Sequence, residues 1–385
     1  MGPHHRDTRT VAVIGTRGYP SFYGGFETAV RRIAPALADR GWCVRVYGRR
    51  AEVALTRGDP RVESVLTPGL DTVALSTLSY GFTAVLHALV RKPDVALVMN
   101  VANGFWLPLL RLRGIPTVVN VDGVEWERDK WSTLGKRMFR WGARLTARFA
   151  DQLVFDAEAI GDHWRHELGR DGTFVPYGGD PEPALPVEPG LEAGRYVVLI
   201  ARLVPENTVA AFLAAAPAIV EQADVDVVVV GSAAADDPLQ RTAEALAASH
   251  PRIHVLGHLS DDRRLHSLWQ HAGVYFHGHT VGGTNPTLVQ AMALGARIVA
   301  RDTVYNREVL ADTGVYCDGD AESIVRAVAS ALHDDRPMGE RAAARAARHY
   351  SWARVVDEYA ALLDTARRQP RRQPRGRGRQ RASAA

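Results

Sequence analysis

The sequence predicts an α/β chain of two consecutive Rossmann-like domains, each built on a parallel sheet. Three observations carry this reading. Short apolar runs alternate with stretches of helical periodicity, the alternation occurs twice, and the Pro-rich stretch 181–189 separates the two series. At 385 residues the chain is also longer than one ordinary domain, so two cores are expected.

The first apolar run, 11–14, passes through a Gly-rich turn into a helical pattern over 25–38 and then a second run over 44–47, which is a βαβ unit. Further buried-strand candidates follow at 95–99, 117–121, 152–155 and 173–175. The second series supplies strand candidates at 196–200, 225–230, 253–256, 274–276 and 297–300, and a last helix is expected over 352–367. The expected division is an N-terminal domain 1–183, a C-terminal domain 190–350, a C-terminal helix 351–366 and a disordered Arg-rich tail 367–385. Sheets of this kind bind ligands outside the carboxyl ends of their strands, so two facing domains are expected to form an interdomain cleft.

Composition narrows the function classes. A chain 46% hydrophobic and 23% charged is that of a globular enzyme and not of a disordered or fibrous protein. Cys43 and Cys317 form no CxxC or Cys/His cluster, which points away from a disulfide framework and a zinc site and fits a reducing cytoplasm. The start, MGPHHRDTRT, holds no apolar export signal. The most apolar window, 95–110, is interrupted by Asn100, Asn103 and Gly104, so no membrane span is expected. Eight arginines, Arg367, Arg368, Arg371, Arg372, Arg375, Arg377, Arg379 and Arg381, account for the positive balance. The remaining 39 basic residues stand against 43 acidic ones. A basic excess confined to a Pro/Gln/Gly-rich tail is no nucleic-acid-binding face.

Three segments carry candidate chemistry. The first turn, IGTRGYPSFYGGFET, places Gly15, Gly18, Gly24 and Gly25 between strand and helix, where the backbone can approach a pyrophosphate at a helix N-terminus or simply turn tightly. Its spacing is not GxGxxG, and the second strand ends Val46, Tyr47, Gly48, Arg49 without the acid that binds an adenosine ribose. In the second half, GHTVGGTNPTLVQAMALGARIVA over 278–300 offers His279, Gly282, Gly283, Thr284, Asn285 and Pro286 ahead of a helix. This arrangement suits anion binding, with Gln290 along the helix able to face back toward a ligand. Arg202, just past the strand 196–200, can neutralise a diphosphate leaving group or form a surface ion pair.

With these residues in view, the chain resembles glycosyltransferase family 4, and within it the bacterial rhamnosyltransferase-like branch of capsule and cell-surface polysaccharide assembly. The matching segments are GTRGYPSFYGGFET, NVDGVEWERDKW at 120–131, FVPYGGD at 174–180, ARLVPEN at 201–207 and FHGHTVGGTNPTLVQAMALGA at 276–296. They occur in family order over most of the chain. The resemblance implies a GT-B fold, a nucleoside diphosphate sugar donor, no metal or other cofactor, and retention of anomeric configuration. It implies Gly24 and Gly25 at the donor pyrophosphate, Asp122 at the acceptor or sugar side and Arg202 at the diphosphate. It further implies Gly257 and His258 at the base, the loop from Gly282 to Pro286 at the sugar and phosphates, and Gln290 at the ribose.

Two departures stand out. The family carries two glutamates eight positions apart where this chain has Gly282 and Gln290, and an amide keeps an acceptor but loses the charge that strengthens a ribose hydrogen bond. Asn207 stands where many relatives have a phosphate-binding Lys. The branch points to dTDP-L-rhamnose or another deoxysugar donor. The acceptor hydroxyl belongs either to a lipid-linked glycan or to a small molecule such as an antibiotic aglycone. A GT-B epimerase and a catalytically weak binding protein are the alternatives of another class. The segment 130–150 mixes basic and aromatic residues at helical spacing, which suits either peripheral contact with an anionic membrane or packing on its own sheet with a solvated basic face. The Arg-rich tail reads the same two ways.

Overall fold

The computed structural model describes residues 9–22, 24–49, 58–72, 76–128 and 131–369. The chain divides into two compact units. The first comprises residues 1–155, 163–173 and 358–385, and the second 156–162 and 174–357. This division differs from the one read in the sequence. Residues 174–183 go with the second unit, and the chain returns to the first from Glu358 onward.

The first unit contains β1 (Arg9–Ile14), α1 (Gly25–Asp39), β2 (Trp42–Gly48), β3 (Val62–Leu66), α2 (Ser76–Arg91), β4 (Val95–Met99), α3 (Leu107–Arg113), β5 (Thr117–Asn120), α4 (Thr133–Phe149) and β6 (Gln152–Phe155). After α5 (Glu158–Leu168), β7 (Thr173–Phe174) completes a seven-stranded sheet in the order β3-β2-β1-β4-β5-β6-β7. β1 is central, with Val11 opposite Val44 on one side and Val95 on the other, both pairings parallel. Buried on both faces, β4 is apolar throughout, as a strand covered on both sides requires.

The second unit repeats the scheme. β8 (Tyr196–Ile200), α6 (Val209–Ala223), β9 (Asp226–Val230), α7 (Pro238–Ser249), β10 (Ile253–Gly257), α8 (Asp262–His271), β11 (Val274–His277), α9 (Pro286–Ala293), β12 (Ile298–Arg301), α10 (Val304–Leu310) and β13 (Val315–Cys317) give a six-stranded sheet in the order β10-β9-β8-β11-β12-β13. α11 (Ala321–Leu332) and α12 (Met338–His349) follow. Strand valines of β8, β9 and β12 pack with Phe212 and Phe276, whose rings stack at 4.9 Å.

The chain closes with α13 (Trp352–Arg368), which begins in the second unit and ends in the first. Arg367 and Arg368 therefore belong to a helix and not to a disordered tail, because the helix continues past the point expected for its end. The other six tail arginines, and Lys130, lie outside the described residues. Among the described residues no helix is long and apolar enough to cross a membrane.

In both sheets the strand order reverses beside the first strand of the series, between β1 and β4 and between β8 and β11. Loops leaving the carboxyl ends of strands at such a reversal diverge and open a crevice for a ligand. The sequence-predicted site residues lie mostly on these loops.

Candidate active site

In the second unit, the loops after β8 and β11 are tied together by the residues that the sequence singled out. Arg202 follows Ala201 at the end of β8, and its carbonyl accepts from Asn207 Nδ2 at 2.8 Å. Asn207 is buried, and its Oδ1 lies 2.7 Å from His279 Nδ1. Because that oxygen can only accept, Nδ1 of His279 carries a proton and donates to it. Thr280 donates its N–H to the carbonyl of Glu206 at 3.0 Å, and Thr208 Oγ1 donates to the carbonyl of Gly278 at 2.6 Å. The Arg202 side chain is exposed, with no hydrogen bond or ion pair among the described residues. An unpartnered guanidinium at the carboxyl end of a central strand is a ready anion ligand.

The loop from Gly282 to Asn285 is built differently from the expectation. Gly282 adopts φ +88°, a left-handed conformation that a side chain would strain. A Cβ on Gly283 would stand 2.2 Å from Asp156 Oδ1, so a side chain there would have to displace that carboxylate. Thr284 was expected to offer its hydroxyl to the donor. Instead its N–H donates to the carbonyl of Asp156 at 3.1 Å and its Oγ1 donates to the same oxygen, both buried. Asn285 caps α9, its Oδ1 accepting from Thr287 N at 3.0 Å and Thr287 Oγ1 at 2.7 Å. The N–H groups of Gly282 and Gly283 make no hydrogen bond among the described residues, which leaves two backbone donors beside the helix N-terminus.

Gln290 does not hold out its amide as expected. Its Nε2 donates to the carbonyl of Asp180 at 2.7 Å and its Oε1 accepts from Asp180 N at 3.3 Å, so both ends of the amide clamp the segment 178–180. Gly179 fits there because a Cβ would lie 2.4 Å from the carbonyl oxygen of Val289. Gly257 ends β10 at φ +65° and accepts from Gly231 N at 2.8 Å, and the neighbouring His258 is exposed. Just before the loop, His277 is buried against Tyr275 OH at 2.9 Å. Burial, reinforced by the nearby His279, holds its pKa well below 6.5 and keeps it neutral.

In the first unit, Gly24 caps α1 and Gly25 opens it. Glu27, buried in the first turn of the helix, accepts from Arg17 N at 2.9 Å and so ties the Gly-rich turn to α1. Asp122, just past β5, takes φ +61°, uncommon for a residue with a side chain. Asn120 Oδ1 accepts from Asp122 N at 2.9 Å, and Asn120 Nδ2 donates to Tyr359 OH of α13 at 2.8 Å. Asn100, at the end of β4 and also left-handed at φ +72°, donates from Nδ2 to Asp122 Oδ2 at 3.4 Å. Sequence reasoning did not single out Glu27, Asn100, Asn120, Asp156, Asp180 or Tyr359. Glu27, Asn120 and Asp180 lie inside the matching segments GTRGYPSFYGGFET, NVDGVEWERDKW and FVPYGGD, whereas Asn100, Asp156 and Tyr359 carried no such signal.

Residues 24–178 match the family described as glycosyl transferase 4-like domain, and residues 194–334 match the one described as glycosyl transferases group 1. The chain belongs to these glycosyltransferases. Its two parallel-sheet units are those of the GT-B glycosyltransferase fold. Among curated glycosyltransferases it is 33% identical over 218 residues to a phosphatidyl-myo-inositol mannosyltransferase of Mycolicibacterium smegmatis, covering 52% of this chain and 54% of the relative. The chain thus matches about half the length of that relative. Among solved structures it resembles sucrose-phosphate synthase from Thermosynechococcus elongatus, with TM-score 0.76, 16% identity and coverage of 93% of this chain and 98% of the other. It also resembles Anabaena HepE in complex with UDP, with TM-score 0.69, 16% identity and coverage of 93% and 100%.

Proposed function

We propose that this glycosyltransferase moves a sugar from a nucleoside diphosphate donor to the hydroxyl of a lipid-linked acceptor, with the donor diphosphate held at the loops after β8 and β11. One observation carries the reading. The exposed, unpartnered guanidinium of Arg202 stands on a loop locked by the Asn207–His279 bond to the loop that offers the Gly282 and Gly283 amides.

In this reading the acceptor oxygen forms a bond to the anomeric carbon as the bond to the phosphate oxygen breaks. Negative charge grows on the departing diphosphate, and Arg202 and the two amides are assigned to meet it. The leaving oxygen takes the acceptor proton on the same face, so configuration is retained and the reading calls on no metal. Asp122, fixed by Asn120, is assigned to a hydroxyl of the acceptor or of the sugar. The segment 278–285 carries no acid to accept from sugar hydroxyls, which favours a deoxysugar such as L-rhamnose on dTDP. HepE, of the same fold, has been solved with UDP and with UDP-glucose, which supports a nucleotide-sugar donor. The mannosyltransferase relative supports a lipid acceptor by its name.

The test is release of free nucleoside diphosphate from dTDP-rhamnose, UDP-glucose and GDP-mannose, with and without lipid-linked acceptors. Acceptor-dependent release of dTDP is the expected result, and no release from any donor would overturn the transferase reading. At saturating donor, Arg202→Ala is expected to lower turnover by roughly a hundredfold or more. Unchanged turnover would remove Arg202 from the diphosphate.

A further inference from the structure

Three helices of the first unit, α2, α3 and α4, contain no acidic residue. They lie in crossovers between parallel strands that step the same way through the sheet, so right-handed connections place them on one face, where α2 packs on α3 and α3 on α4. Arg91 ends α2, and Arg111 and Arg113 end α3. Along α4, Arg137, Arg140, Arg144 and Arg148 are exposed, and none has a carboxylate partner among the described residues. By contrast α1, on the opposite face, balances its arginines with Glu27 and Asp39.

The same surface exposes large apolar side chains. Val90 of α2 is 81% exposed, Leu112 of α3 86%, and Leu134 and Trp141 of α4 77% and 57%. On α4, positions 134, 137, 141, 144 and 148 recur at helical spacing, so leucine and tryptophan share one stripe with three arginines. Single apolar residues are ordinary on a surface, but here four large ones lie on the face that carries the α4 arginines.

We infer that the α2–α3–α4 face docks on an anionic lipid bilayer. Nucleic acid would satisfy the arginines and leave Val90, Leu112 and Leu134 in water. A bilayer interface takes both kinds of group, with guanidinium at the headgroup phosphates and leucine and tryptophan at the acyl boundary. This inference rests on surface chemistry alone and not on the catalytic assignment. It explains how a lipid-linked hydroxyl would be met by an enzyme without a spanning helix among its described residues.

The experiment is co-sedimentation of the full chain with vesicles of phosphatidylcholine alone and of phosphatidylcholine mixed with phosphatidylglycerol. Two variants accompany it, Arg137→Glu/Arg140→Glu/Arg144→Glu and Leu134→Ser/Trp141→Ser. Any contribution of the tail arginines is common to all three proteins. Binding is expected only to the anionic vesicles and is expected to weaken by about tenfold or more in the charge variant. The apolar variant should also bind less tightly. Absence of binding by the parent chain, or binding that both variants retain, would overturn the inference. Loss only in the charge variant, with duplex DNA competing as well as vesicles, would make the face a general polyanion surface and overturn it too. Donor turnover without lipid acceptor is expected to be unchanged in both variants, which separates failure of this inference from failure of the transferase reading.

Discussion

Gln290 shows what an amide does that a carboxylate cannot. It donates to the carbonyl of Asp180 and accepts from the same residue's N–H, so one side chain satisfies both backbone groups. A glutamate would keep the acceptor bond and set a negative charge against a carbonyl oxygen. Gln290→Glu is therefore expected to lower stability by about 1–3 kcal/mol in urea titration. Its donor KM should change little, whereas a ribose ligand would shift KM. Arg202 was legible because a strand end and a guanidinium suffice to suggest an anion site. The roles of Gln290 and Thr284 were not legible, since their partners are backbone atoms of Asp180 and Asp156, 110 and 128 positions away. A backbone oxygen has no sequence signature.

At the scale of elements, the loop before α9 depends on its cap. Asn285 holds the first-turn amide of Thr287 and fixes where the chain turns from the glycine pair into the helix. Asn285→Ala is expected to cost about 1 kcal/mol of stability and to raise the donor KM. Asn285→Ser, which can still cap, should restore most of both, as thermal melts and initial rates would show. Central strands were readable as unbroken apolar runs because both their faces are covered. β3 and β13 were missed for the opposite reason. Neither is an unbroken buried run: β3 buries Val62 while exposing Glu63 and Ser64, and β13 buries Cys317 alone. Segment 130–150 was readable as a basic amphipathic helix, but the apolar residues on its outer side become meaningful only with α2 and α3 beside it.

At the scale of the molecule, the twin α/β series was plain in the sequence, but the destination of the last helix was not. Arg9 pairs with Asp364 across 355 positions, and Asn120 with Tyr359 across 239. Such distant pairings leave no local pattern to read. They nonetheless reach the site, because the Asn120 amide that donates to Tyr359 also holds Asp122 in its left-handed conformation. Tyr359→Phe is expected to destabilise by about 1–3 kcal/mol, since a buried amide donor loses its partner. It should also lower kcat with donor KM unchanged, and equal kcat would detach Tyr359 from Asp122.

The path of α13 also orders events in time. A ribosome delivers all seven strands of the first sheet early, then spends nearly two hundred residues on the second unit before α13 emerges. Throughout that interval Arg9 and Asn120 lack their partners, and the half that is made first is the half that matures last.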